Sequence, residues 1–242
     1  MPRWWWSLKK RVVRLSPVPR RAERLGAAWV LDPSDWLDMR LIIGQPFEDA
    51  QRERFARLLS ERRPETLYDI GANIGLYAIL MALRFADLKV EAFEPVGTTR
   101  ARLALHVALN ALEGRVRVHP HALSDREGEA EIAIDPNSSG LSTLSAAAPE
   151  ARRRAFRAME RVPVARLDDL VRAPGRVLAF KIDVEGHEVE TLAGMSRLLG
   201  ECDGVMMVEM RARNAHAVRA ALGAAGWRQI DQIDEEAYFA KP

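Results

Sequence analysis

Cysteine is almost absent: Cys202 is the only one in 242 residues. That excludes an internal disulfide and any cysteine-based zinc cluster, and it suits a reducing compartment. Long hydrophobic runs are missing too. Leu76–Leu83, among the longest, stops at Arg84, well short of the roughly 18–20 apolar residues a spanning helix needs. A secretory leader is not expected, because no apolar stretch of roughly 7–15 residues follows the basic start. Lysine is scarce, five against 31 arginines, so any lysine inside an apolar segment stands out. The length suggests one or two domains of about 100–200 residues each, with a core large enough to need no disulfide or structural metal. The expectation is a soluble or peripheral cytoplasmic protein.

What charge there is lies unevenly. The net charge is +2, yet residues 1–30 hold eight Lys/Arg against Glu23 alone. A basic arm therefore precedes a mildly acidic body, and that body is a poor surface for nucleic acid, which needs clustered positive charge on a folded face. The arm opens Trp4-Trp5-Trp6 and carries Leu8, Val12, Val13 and Leu15 among its basic residues. Indoles favour the membrane–water boundary and Lys/Arg favour anionic lipid heads. Residues 1–20 thus suit a peripheral contact at the inner face of a membrane; they equally suit a leader helix packed on the body, or an oligomer contact. Pro17 and Pro19 mark a linker.

Trp29–Leu31 has the character of a short strand, and Phe55, Leu58 and Leu59 make one face of a helix over 47–59. From residue 66 strands and helices alternate. Strands are expected at 66–70, 89–93, 115–119, 177–182, 204–209 and 227–230, and helices at 74–85, 98–112, 188–199 and 214–225. Strands separated by helices of this length indicate a doubly wound α/β fold with a mostly parallel sheet. Residues 129–165 interrupt the rhythm with an exposed strand, a turn-rich stretch and the arginine-rich run 146–161. Such an insertion can act as a lid, and its arginines suit either an anionic substrate or the wet face of a helix. Residues 1–43 read as arm and lead-in, and residues 44–242 as the domain.

The segment Asp69-Ile70-Gly71-Ala72-Asn73-Ile74-Gly75 follows a strand and opens a helix. Gly71 and Gly75 permit a tight turn and close approach of a ligand to the backbone, and the helix start offers free N–H groups. Glu94 ends the next strand 19 residues after Gly75, the offset at which a carboxylate can accept both hydroxyls of a ribose. A dinucleotide loop would carry glycine where Asn73 stands. A polar side chain there suits an amino-acid tail better than a diphosphate, which points to S-adenosylmethionine.

Five blocks make the sequence similar to the FkbM family of S-adenosylmethionine-dependent methyltransferases: Gly44-Gln45-Pro46-Phe47-Glu48; residues 69–75; Glu94-Pro95; Ala122-Leu123-Ser124-Asp125 with Gly128; and Lys181-Ile182-Asp183-Val184-Glu185-Gly186-His187-Glu188. The segment 164–170 also resembles the family's lead into its fourth strand. The resemblance implies the class I methyltransferase sheet, Rossmann-like and mostly parallel, with one antiparallel strand near the C-terminus. By position it implies that Asp69, Gly71, Asn73 and Gly75 line the methionine end, that Glu94 holds the ribose, and that Ser124 and Asp125 meet the adenine.

Lys181, Asp183, Glu185 and His187 alternate out of the fourth strand toward the crevice where such folds bind ligands. Lys181 suits a salt bridge to Asp183 or Glu209 that anchors two strand ends. Asp183 suits the sulfonium or the methionine amine, while Glu185 and His187 are candidates to touch the acceptor. His187 would be the natural general base, unless it merely bonds backbone at a helix start; a buried Glu185 could serve instead. His187-Glu188-Val189-Glu190 lacks the second histidine of a zinc HExxH site. Asp183, Glu185 and Glu209 have the chemistry for Mg²⁺, but the reading requires no metal. The sequence therefore points to methylation of a hydroxyl on a sugar, glycolipid or polyketide-like molecule. The alternatives are a nicotinamide-dependent oxidoreductase on the same fold and a non-catalytic membrane-associated binding protein.

Overall fold

The computed structural model describes residues 3–16, 18–134, 158–172 and 176–241. The chain enters through helix α1 (Arg3–Arg14), the hairpin β1 (Arg20–Arg24) and β2 (Ala27–Leu31), and helices α2 (Trp36–Ile43) and α3 (Asp49–Arg62). The alternating part follows as β3 (Thr66–Ile70), α4 (Leu76–Arg84), β4 (Lys89–Phe93), α5 (Gly97–Leu109) and β5 (Val116–His119). After β6 (Ala122–Leu123), β7 (Gly128–Ile134), β8 (Ala158–Ala165) and the short α6 (Leu167–Leu170) come β9 (Val177–Ile182), α7 (Glu188–Ala193), α8 (Ser196–Glu201) and β10 (Asp203–Glu209). Helix α9 (Ala215–Ala224) and strands β11 (Arg228–Ile233) and β12 (Glu236–Lys241) close the described chain.

Seven strands form one sheet in the order β11-β12-β10-β9-β3-β4-β5. β10, β9, β3, β4 and β5 run parallel, and β12 is antiparallel to both its neighbours. This is the α/β, mostly parallel class I methyltransferase sheet with one antiparallel strand. From β3 the chain winds outward through β4 and β5, then returns on the other side of β3 as β9. The strand order reverses there, so the loops after β3, β4 and β9 open onto one crevice. Strands such as β9, Val-Leu-Ala-Phe-Lys-Ile, are apolar nearly throughout because helices cover both sheet faces. One core cluster lies under α3, α4 and α5 and takes in Trp29, Phe55, Ile79 and Leu103; a second lies under α7, α8 and α9 and takes in Phe180, Met195, Met206 and Trp227; a small third joins Val96 to Ala122, Ile132, Val162 and Val164.

Two expected elements differ. The helix expected over 188–199 is two helices broken at Gly194-Met195. A Cβ on Gly194 would stand 1.8 Å from the Ser124 carbonyl oxygen, so the chain bends where another backbone crosses it. Buried Asp168 then caps α8, its carboxylate accepting the N–H groups of Arg197 and Leu198 at 2.9 Å each. The last expected strand, 227–230, is β11 at the sheet edge. Between it and β10 lies β12, whose charged ends conceal buried Tyr238 and Phe239. The described ends of the interrupting segment, β7 and β8, form a three-stranded sheet with the preceding β6, in the order β6-β8-β7. The segment's turn-rich part and most of its arginine-rich run, where the lid was expected, fall in 135–157, outside the described residues.

Candidate active site

A cavity of about 550 Å³ opens at the carboxyl ends of β3, β4, β9 and β10. Its near wall is the bend after β3. Gly71 has φ +79°, and a Cβ there would lie 1.8 Å from the Asp183 carbonyl oxygen, so only glycine lets the bend close against β9. The N–H groups of Gly71 and Ala72 both donate to the Phe93 carbonyl, at 3.1 and 3.0 Å. Asn73 follows in the left-handed region at φ +51°, a conformation asparagine tolerates better than most residues.

That bend holds Glu94. The Asn73 N–H donates to Glu94 Oε2 and the Val96 N–H to Oε1, both at 2.9 Å. Burial pushes the Glu94 carboxyl up to about 7, against the opposing pull of those two amides. Each oxygen keeps a lone pair that a ribose diol can use. Beside it, the Asn73 side-chain oxygen is buried on the cavity wall with no partner within the protein. A buried acceptor left unpaired costs free energy, and a ligand N–H such as an amino-acid ammonium would satisfy it. Glu94, Asn73 and the glycine bend thus fit S-adenosylmethionine.

The far end is charged. Lys181 is buried, with its Nζ 3.1 Å from Asp183 Oδ2 and 5.3 Å from the centre of the Tyr77 ring. Burial works against its ammonium, but Asp183, Asp69 and Glu48 outweigh it and raise its pKa. Of the two salt bridges considered from sequence, the structure forms the one to Asp183. Glu48, at the start of α3, accepts the Tyr77 hydroxyl at 2.9 Å, and burial raises its pKa. Arg211 donates to Glu185 Oε2 at 2.8 Å and to Glu209 Oε1 at 2.9 Å. Burial, then the nearby Asp183, pushes Glu209 up to about 9.

Gly71, Asn73, Glu94, Lys181, Asp183 and Glu185 line the cavity together. Asp69 lies behind them, fully buried, with Oδ2 accepting the Ala78 N–H at 2.9 Å. Gly75 faces α5, where a Cβ would stand 2.4 Å from Leu103. The wall does not include Ser124, Asp125 or His187. Ser124 is buried, with its Oγ 2.9 Å from His187 Nε2 and 3.0 Å from Asp125 Oδ1, while His187 Nδ1 is 3.5 Å from Glu190. His121, in the loop after β5, and Ala122 and Leu123 of β6 line the cavity instead. Among the described residues no group of three or more His, Cys, Asp or Glu is arranged to hold a metal ion; Glu185 and Glu209 share the chain's own cation, Arg211. Glu48, Tyr77 and His121 had no role assigned from sequence. Only Glu48 carried a signal, its place in the block 44–48.

Fold and site together define a class I methyltransferase-type α/β protein with a nucleoside-sized crevice at its strand switch. Residues 69–235 match the family model described as the methyltransferase FkbM domain. The chain belongs to that family. The methyltransferase sdnD of Sordaria araneosa is 29% identical over 157 residues, covering 53% of this chain and 60% of its own length. The 31-O-demethyl-FK506 methyltransferase FkbM of Streptomyces tacrolimicus is 24% identical over 184 residues, covering 74% and 67%. The chain thus spans about three fifths of the length of the first of these. Among solved structures, TYW2 of M. jannaschii in complex with AdoMet has a TM-score of 0.47 at 14% identity, covering 94% of this chain and 88% of that one. An O-methyltransferase family protein from Burkholderia thailandensis has a TM-score of 0.46 at 11% identity, covering 80% and 56%. Likeness at that level carries no argument about chemistry.

Proposed function

We propose that this protein transfers a methyl group from S-adenosylmethionine to a hydroxyl of a sugar, glycolipid or polyketide-like small molecule. The observation that carries the reading is the pairing on one cavity wall of the Glu94 carboxylate, fixed by two backbone amides, with the unpartnered Asn73 side-chain oxygen. Glu94 would hold the ribose diol and Asn73 the ammonium of the methionine tail. Bound there, S-adenosylmethionine supplies an already activated methyl carbon. The chain's task is then to orient the acceptor oxygen, and positioning of this kind can lower a barrier by roughly 7–11 kcal/mol.

An acceptor hydroxyl must lose its proton. Glu48 lies on the same cavity wall as Lys181 and Asp183, and burial makes its carboxylate more basic. It would take that proton on the oxygen that now accepts from Tyr77 or on its twin. Lys181 keeps the region from building up uncompensated negative charge. One relative's name, 31-O-demethyl-FK506 methyltransferase, agrees with an oxygen acceptor.

The test is thermal unfolding with S-adenosylhomocysteine. A ligand at about 100 times its Kd stabilises by about 2.7 kcal/mol, which gives a clear rise in Tm for the wild type and none for Glu94→Ala. NADH serves as the control for an oxidoreductase. A rise with NADH and none with S-adenosylhomocysteine overturns the reading.

A further inference from the structure

The arm is the sequence feature that the cavity leaves unexplained. Helix α1 contains no acidic residue. One side is held to the body: Trp6 and Val13 pack on the core, and Lys9 Nζ donates to the Ile43 carbonyl at the end of α2 at 2.9 Å. The apolar surface does not stop there. Trp4 is 64% exposed, Leu8 48% and Val12 60%, and Leu15 just past the helix is 84% exposed. Spacings of four, four and three residues put these side chains on one stripe, and exposed Arg11 and Arg14 run along one edge of it. Helix α2, which α1 grips at its C-terminal end, begins with half-exposed Trp36 on the cavity wall.

An exposed apolar stripe edged by cations and free of acids matches one kind of partner. We propose that the outer face of α1 docks on an anionic lipid bilayer, with Trp4, Leu8, Val12 and Leu15 entering the interface and Arg11 and Arg14 meeting the lipid headgroups. Charge complementarity selects this occupant. A second copy of the chain would bring the same arginines face to face, a repulsive arrangement. The docking is independent of the chemistry in the cavity.

Flotation of the full chain with vesicles decides the matter, using phosphatidylcholine alone and phosphatidylcholine with about one third phosphatidylserine. Binding is expected only to the anionic vesicles, weakening as salt is raised. Leu8→Glu with Val12→Glu should reduce it roughly tenfold or more, and Arg11→Gln with Arg14→Gln should weaken it and flatten its salt dependence. Both pairs leave the buried side of α1 intact, so unchanged circular dichroism is expected. No binding to anionic vesicles, or equal binding by the Glu variants, overturns the proposal. So does a concentration-dependent dimer that ignores vesicles and that Leu8→Glu with Val12→Glu dissolves.

Discussion

Asp69 and Lys181 are register partners on adjacent parallel strands β3 and β9, and both are buried. Lys181 also pairs with Asp183, two residues further along its strand and on the cavity wall. The ammonium is thus ion-paired with the carboxylate on the cavity wall and acts on buried Asp69 behind it through its charge. This explains why a lysine stands in the otherwise apolar β9, in a chain where basic positions are nearly always arginine.

Removing that ammonium should cost more than an exposed charge would. Lys181→Met removes the ion-pair partner of Asp183, whose side chain is 35% exposed, and the cation whose charge favours buried Asp69. The cost should therefore lie between the ~1 kcal/mol of an exposed pair and the roughly 3–5 kcal/mol of a fully buried one. Urea unfolding should show a midpoint lowered by that free energy divided by the slope, with the slope itself unchanged. A loss under about 1 kcal/mol, the range of exposed ion pairs, would show that water already screens the cluster.

Glycine at 71 is required by contact as well as by conformation. Gly71→Ala pushes a methyl group to 1.8 Å from the Asp183 carbonyl oxygen at φ +79°, so β3 and β9 must part at the cavity. Binding of S-adenosylhomocysteine should be lost and the Tm lowered. Gly114→Ala, where a Cβ meets nothing within 4 Å, is the control and should retain ligand binding.

The pH dependence of stability carries the signature of Glu94. Its carboxyl rises from 4.5 to about 7 on folding, so the folded state holds a proton that the unfolded chain has already released. The resulting stability is fully present below about pH 4.5 and is lost as pH rises through about 7, a swing of at most about 3 kcal/mol. Glu94→Gln removes this slope, so the unfolding free energy of the wild type minus that of the variant should fall by up to about 3 kcal/mol as pH rises through that window, moving in the variant's favour. Chemical denaturation at pH 4.5, 6 and 8 measures it, and a constant difference would show that Glu94 is not desolvated in the free protein.

Much of this was legible in the sequence, for definable reasons. The strands at 66–70, 89–93 and 177–182 are short apolar runs between turn formers, and they occupy the expected residues. Glycine at 71 and acid at 94 are constrained by backbone geometry and spacing, and both line the cavity. What stayed hidden depends on contacts between distant segments. No local pattern shows that the Ser124 backbone would press on Gly194 and break a helix, or that Ser124 would meet His187 rather than the cavity. Nor does spacing show that Arg211 would sit between Glu185 and Glu209, or that Tyr77 of α4 would reach Glu48 ahead of α3.

The last prediction separates two candidates for the proton acceptor. His187 was expected from sequence to reach the substrate, but its ring nitrogens face Ser124 and Glu190 and it does not line the cavity. Glu48 does line it, with its basicity raised by burial. A positioned general base is worth roughly 10²–10⁴-fold in rate, so Glu48→Gln should lower kcat on that scale while S-adenosylhomocysteine still raises the Tm. His187→Gln should lower kcat less than about tenfold, since it removes only a hydrogen bond behind the wall. Tyr77→Phe provides the internal check. It frees Glu48 of a stabilising hydrogen bond and should shift the acid limb of the kcat–pH profile upward, because a carboxylate that loses a donor becomes harder to ionise. If His187→Gln proves the deeper loss and the Glu48→Gln profile matches wild type, proton removal runs through the histidine, and the loop from 185 to 188 must rearrange when the acceptor binds.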